Sequence, residues 1–168
     1  MSNYIGIDLG TTFSAVAYID ETGRPTIVNN SGDENITPSV VAQVKGVIRV
    51  GEFARRQWAS DETTAAARFK RHMGSSKTFE IDGKAFTPTE LSAAVLSELK
   101  KGAEARIGDV SKAVVTIPAN FSHDARDATM AAAKMAGLDV EYIINEPTAA
   151  ALYYAYQSDG ELAGNFAV

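Results

Sequence analysis

Near the amino terminus, Ile5-Gly6-Ile7-Asp8-Leu9-Gly10-Thr11-Thr12 places an aspartate at the end of an apolar run and follows it with a glycine and two threonines. That order suits polyphosphate. Gly10 lets the backbone approach without a Cβ in the way, the amides and hydroxyls that follow can donate to phosphate oxygens, and Asp8 can hold hydrated Mg²⁺ or its waters. Taken alone, an ordinary hairpin turn would look similar, because Gly, Asp and Thr are common turn formers. No G-x-x-x-x-G-K-[ST] occurs, and no strand leads into G-x-G-x-x-G, so the P-loop and dinucleotide-binding readings fall away.

Two further groups could do chemistry. Phe69-Lys70-Arg71-His72-Met73-Gly74 is a basic cluster before a glycine that permits a left-handed cap. Its plainest role is to complement a helix dipole. In Ile144-Asn145-Glu146-Pro147-Thr148, Glu146 falls where an apolar strand meets a helix and is fixed by the proline behind it. A carboxylate there can poise a water or a metal at the carboxyl edge of a sheet, although it also compensates the helix amino terminus.

The elements that must position these groups change character along the chain. Residues 4–9, 13–19, 26–28, 39–44 and 47–50 are short β-branched or aromatic runs divided by Gly, Asn and Pro turns, the pattern of a hairpin sheet. From Glu52 the period lengthens, predicting a helix to about Trp58, another from about Thr63 to His72, and a small hairpin over 78–86 turning at Asp82-Gly83. Thr87, Pro88 and Glu90 then spell a capping box with proline in the first turn. Leu91, Val95, Leu99, Ala103 and Ile107 follow on one helix face. A strand at 113–117, a helix opened by Ser122 and stopped by Gly137, a strand at 138–144 and a helix at 146–157 complete a βαβα unit, whose crossovers imply parallel strands. Residues 158–160 form a short loop before a final apolar run, 166–168, that has the pattern of a strand.

Composition bounds the rest. The 168 residues contain no cysteine and only two histidines, His72 and His123, which excludes disulfides and a structural zinc set; any metal must be bound through oxygen. A net charge of −5 with interspersed signs offers no basic stripe for nucleic acid or an anionic membrane. The amino terminus lacks the basic and apolar regions of a signal peptide, and no run reaches membrane-spanning length, so the expected location is cytoplasmic. The sequons at Asn29, Asn35 and Asn120 accordingly carry little weight.

In this order, the three chemical segments closely resemble the amino-terminal part of the ATPase domain of heat-shock protein 70 (DnaK-type) chaperones. The resemblance extends through Gly32-Asp33, Thr37-Pro38-Ser39, Ala113-Val114-Val115-Thr116-Ile117-Pro118-Ala119, Arg126-Asp127-Ala128-Thr129 and Ala136-Gly137-Leu138, and so covers nearly the whole chain. It departs from the usual pattern at Asn120, where Tyr is common, at Ser122-His123, where Asn-Asp is usual, and at Phe13, where Tyr or Asn is common.

The resemblance implies an α/β, actin-like ATPase (ribonuclease H-like) lobe with a mixed five-stranded sheet flanked by helices and a small peripheral subdomain. The core subdomain is expected at about 1–36 and 110–168 and the peripheral one at about 37–109, with the second lobe and a peptide-binding domain following beyond Val168. Gly10, Thr11, Thr12 and the backbone of Phe13 should meet the β- and γ-phosphates of ATP or ADP. Asp8 and Glu146 should hold Mg²⁺ through waters, and K⁺ is a candidate further ion. Lys70 should reach the γ-phosphate and the attacking water, which Glu146 would orient; Lys70, Glu146 and Asp8 form the catalytic set. Pro118 and Arg126 should relay the nucleotide state outward. The implied partners are unfolded polypeptides, a J-domain co-chaperone and a nucleotide-exchange factor. A single lobe should bind ATP weakly and hydrolyse it negligibly. Two alternatives stand beside this reading: a sugar or acid kinase of the actin superfamily, against which Lys70 and Glu146 argue, and a non-hydrolysing regulatory scaffold that keeps the fold.

Overall fold

A computed structural model describes residues 3–158; the expected strand at 166–168 lies outside them. Strand β1 (Asn3–Asp8) alternates strictly, with Ile5 and Ile7 buried and Tyr4, Gly6 and Asp8 on the exposed face. It pairs antiparallel with β2 (Phe13–Ile19), which in turn pairs with β3 (Pro25–Ile27). On its other side β1 runs parallel to β10 (Val110–Ile117), and β10 runs parallel to β11 (Asp139–Asn145). The order β11-β10-β1-β2-β3 is the mixed five-stranded sheet, and the two-residue β4 (Thr37–Pro38) adds a sixth strand along the start of β2.

A second antiparallel sheet has the order β6-β5-β7, from β5 (Val40–Val44), β6 (Val47–Val50) and β7 (Ala65–Ala67). Helix α1 (Glu52–Ser60) packs on it, and Val40, Ala42, Ala54 and Ala65 form their own small apolar cluster. The helix expected over 63–72 is absent. That stretch is a 3-10 turn (Glu62–Thr64), then β7, then a second 3-10 turn (Phe69–His72). Alanine favours helix in isolation, but Ala65, Ala66 and Ala67 complete the edge of β5 opposite Ala42, Val41 and Val40. Burial and ladder hydrogen bonds override the propensity.

The hairpin of β8 (Phe79–Ile81) and β9 (Lys84–Phe86) turns at Asp82 and Gly83, with φ of 51° and 71°. Positive φ at both central residues is the type I′ geometry that matches strand twist. Helix α2 (Pro88–Ile107) begins with the full capping box: Thr87 accepts from the Glu90 amide while Glu90 accepts from the Thr87 amide. Its Leu91, Val95, Leu99 and Ala103 stripe is buried in one core with Ile5, Ile7, Leu9, Val16 and Val115 of the main sheet. Helix α3 (His123–Met135), capped by Ser122, lies beside α2, and Gly137 ends it at a φ of 73°. Helix α4 (Glu146–Gln157) follows β11 directly and has no buried residue; Leu152, Tyr153, Tyr154 and Tyr156 are each at least half exposed.

Candidate functional site

Asp8 ends β1 on the exposed face, where the Thr116 hydroxyl donates to its Oδ1 at 2.8 Å. Asp8 pairs with Thr116, and Thr116 with Ile144, so a single row across β1, β10 and β11 ends two residues short of Glu146. The register therefore brings Asp8 and Glu146 to the same carboxyl edge of three parallel strands, where α/β sheets open into ligand crevices.

The chain then turns through Gly10. A Cβ there would fall 2.0 Å from the carbonyl oxygen of Phe13, so the loop closes on itself as only glycine permits. Two serines hold it from beneath. The Gly10 amide donates to Ser14 Oγ at 3.2 Å, Ser39 Oγ donates to the Gly10 carbonyl at 2.8 Å, and the two hydroxyls lie 2.9 Å apart in the interior. Sequence reasoning gave neither serine a role, and a lone hydroxyl two or three residues from a turn carries no mark of burial. Above them, the amides of Thr11 and Thr12 donate to no acceptor among the described residues. Phe13 is on the surface with its backbone opposite Pro38 in the β2–β4 pair.

Lys70 arrives from another direction. Arg68 takes a left-handed φ of 57°, which swings the 3-10 turn Phe69–His72 inward and leaves Lys70 only 4% exposed. Its ammonium donates to Glu146 Oε1 at 2.6 Å, with the lysine side chain buried and the glutamate 40% exposed. The structure thus unites Lys70, whose plainest local reading was helix-dipole compensation, with Glu146, whose local reading was a carboxylate at the sheet edge. A cavity of about 390 Å³ opens beside Lys70, lined by Thr11, Lys70, Arg71, Pro118, Asn120 and Phe121 among others. Another, of about 410 Å³, lies between the loop after Val28 and α2 and contains none of the site residues.

Pro118 closes β10 and lines the Lys70 cavity. Arg126, on α3, reaches the Phe121 carbonyl through Nε and Asn145 Oδ1 through its guanidinium, each at 3.4 Å. Arg126 is thereby joined to the residue immediately before Glu146 rather than being a free surface cation.

The donor set fits a magnesium nucleotide. The glycine cradle has no room for a Cβ, and the Thr11 and Thr12 amides have no acceptor among the described residues. Mg²⁺ typically keeps several waters and is bound by one or two carboxylates together with phosphate oxygens, so two carboxylates at the sheet edge suffice.

The family model described as Hsp70 protein matches residues 4–80 and 76–162. The chain belongs to the Hsp70 family. It corresponds to the amino-terminal lobe of the family's actin-like ATPase domain, and its mixed sheet with flanking helices is that fold. Hsp70 ATPase domains bind nucleotide and Mg²⁺, and the family acts as chaperones on unfolded polypeptides together with co-chaperones. No helix among the described residues of this Hsp70 lobe is long and apolar enough to cross a membrane.

Proposed function

We propose that this chain is one wall of the ATPase cleft of a DnaK-type chaperone that couples ATP binding and hydrolysis to the binding and release of polypeptides. The observation that carries the reading is the buried Lys70 ammonium held against Glu146, at the edge that also carries Asp8 and the Gly10 loop. A generic hairpin turn needs no buried cation beside it.

In this reading the amides of Thr11 and Thr12, with the backbone at Gly10 and Phe13, receive the β- and γ-phosphates. Asp8 and Glu146 would hold the waters of Mg²⁺, which when bound would neutralise phosphate charge. Lys70 exchanges its bond to Glu146 for a γ-phosphate oxygen and stabilises the charge that develops there, in the way donors fixed in a water-poor site act on phosphoryl transfer. Glu146, released, accepts a hydrogen bond from the attacking water and orients it. Pro118 borders the Lys70 cavity and Arg126 binds Asn145, so both adjoin the two groups that change partner. That adjacency supports their role as a relay toward a peptide-binding domain, a J-domain partner and an exchange factor.

The deciding experiment is Lys70→Ala in the full-length protein. Steady-state hydrolysis of Mg-ATP should be lost while nucleotide binding, read by a fluorescent ATP analogue, is kept. Unchanged turnover would sink the assignment.

A further inference from the structure

Lys70 is a cation with 5% of its side chain exposed, and among the described residues it has a single hydrogen-bond acceptor, Glu146. Its other neighbour is aromatic: the ammonium lies 5.8 Å from the centroid of the Phe121 ring. That is within the reach at which a ring quadrupole attracts a cation, and burial strengthens the attraction.

The backbone that carries the ring is anchored independently of the lysine. The Phe121 amide donates to the Pro118 carbonyl at 3.1 Å, closing a turn, and the Phe121 carbonyl accepts from Arg126 Nε of α3. The lysine segment is seated on the same helix. Gly74, at a φ of 75°, lies so close to the start of α3 that a Cβ would fall 2.6 Å from both the Ala125 nitrogen and the Asp124 carbonyl carbon. The backbone segments that carry the ring and the lysine are therefore both seated on the start of α3.

We propose that Phe121 is a positioning residue for Lys70, an inference that rests on the catalytic role proposed for that lysine. Its ring pins the ammonium at the cleft while the ammonium exchanges Glu146 for a phosphate oxygen. A hydrogen-bonding partner would have to be broken or bent during that exchange. A ring face has no acceptor lone pair to align, so the ammonium can turn from one oxygen to the next while the attraction persists.

Two measurements test this. In the full-length protein, Phe121→Leu should lower kcat by about tenfold, with KM for Mg-ATP within about twofold, since the contact acts on the lysine and not on nucleotide binding. Phe121→Tyr should restore kcat. A kcat unchanged by leucine, or equal losses for leucine and tyrosine, would each overturn the proposal. In the present chain, the Lys70 ε-methylene protons should resonate upfield of those of the other lysines because of the ring current. They should return to the common range in Phe121→Leu and stay shifted in Phe121→Tyr. An absent ring-current shift alongside a hydrolysis-dead Lys70→Ala overturns the role of Phe121 alone; a normal shift with a fully active Lys70→Ala overturns both readings.

Discussion

Lys70 and Glu146, 76 positions apart in sequence, meet at 2.6 Å in an unequal pair: the lysine side chain is 5% exposed and the glutamate 40%. The inequality decides what each loss should cost. Removing Glu146 strands a buried charge, whereas removing Lys70 leaves a carboxylate that water can reach. Glu146→Ala should therefore destabilise this chain by roughly 2–3 kcal/mol. Lys70→Met keeps the buried stem and should cost under about 1 kcal/mol or even stabilise. Urea denaturation of the two variants checks the order; a costlier Lys70→Met would refute it.

Gly10 tests the phosphate loop. With the carbonyl of Phe13 2.0 Å from where a Cβ would stand, Gly10→Ala forces the backbone to move and pulls against both serine contacts. A loss of roughly 1–3 kcal/mol in stability is expected, and in the full-length protein nucleotide affinity should fall with it. Wild-type affinity for Mg-ATP in that variant would show that the loop does not bear the phosphates.

Calorimetry of the present chain with Mg-ATP should show little or no heat. The described residues supply one set of phosphate donors and no enclosed pocket for base and ribose, and small-ligand affinity depends on burying most of the ligand. Tight binding would mean that this wall is sufficient by itself.

Asp20 gives the chain a pH signature. The Thr22 hydroxyl and the Arg24 amide, then the Thr22 amide and the Thr26 hydroxyl, hydrogen-bond its carboxylate at the β2–β3 turn and hold its pKa down to about 2. Unfolded, the group titrates near about 3.9. The folded state thus binds fewer protons, and the contribution is complete above about pH 4 and disappears as pH falls through about 2. Thermal melts of wild type and Asp20→Asn should differ at pH 6 and converge toward pH 2. A constant difference would argue that the turn does not depend on the charge.

What could be read from the sequence depended on how local the cause was. The start of α2 was legible because Thr87, Pro88 and Glu90 interact within one turn, and the β8–β9 hairpin because Asp82-Gly83 sets its own geometry. The stretch 63–72 was misread because its conformation is imposed by β5, more than twenty residues earlier. At the site, Asp8, Gly10 and Glu146 declared themselves through local pattern, whereas the chemistry of Lys70 came only through resemblance, since its pairing with Glu146 spans 76 positions. The roles of Ser14 and Ser39 were hidden for the same reason: their hydroxyls meet across 25 residues in the interior.

The row that joins Asp8 to Thr116 has a further consequence during synthesis. These residues are separated by 108 positions, and Glu146 comes later still. At roughly 5–20 residues per second, the ribosome needs about 5–20 s after making Asp8 before its β10 partner exists. Over that interval one edge of β1 lacks its parallel neighbour, while α2, with its own start signal, can already form. A chaperone of this family would in that window present the kind of unpaired strand edge that chaperones exist to shield.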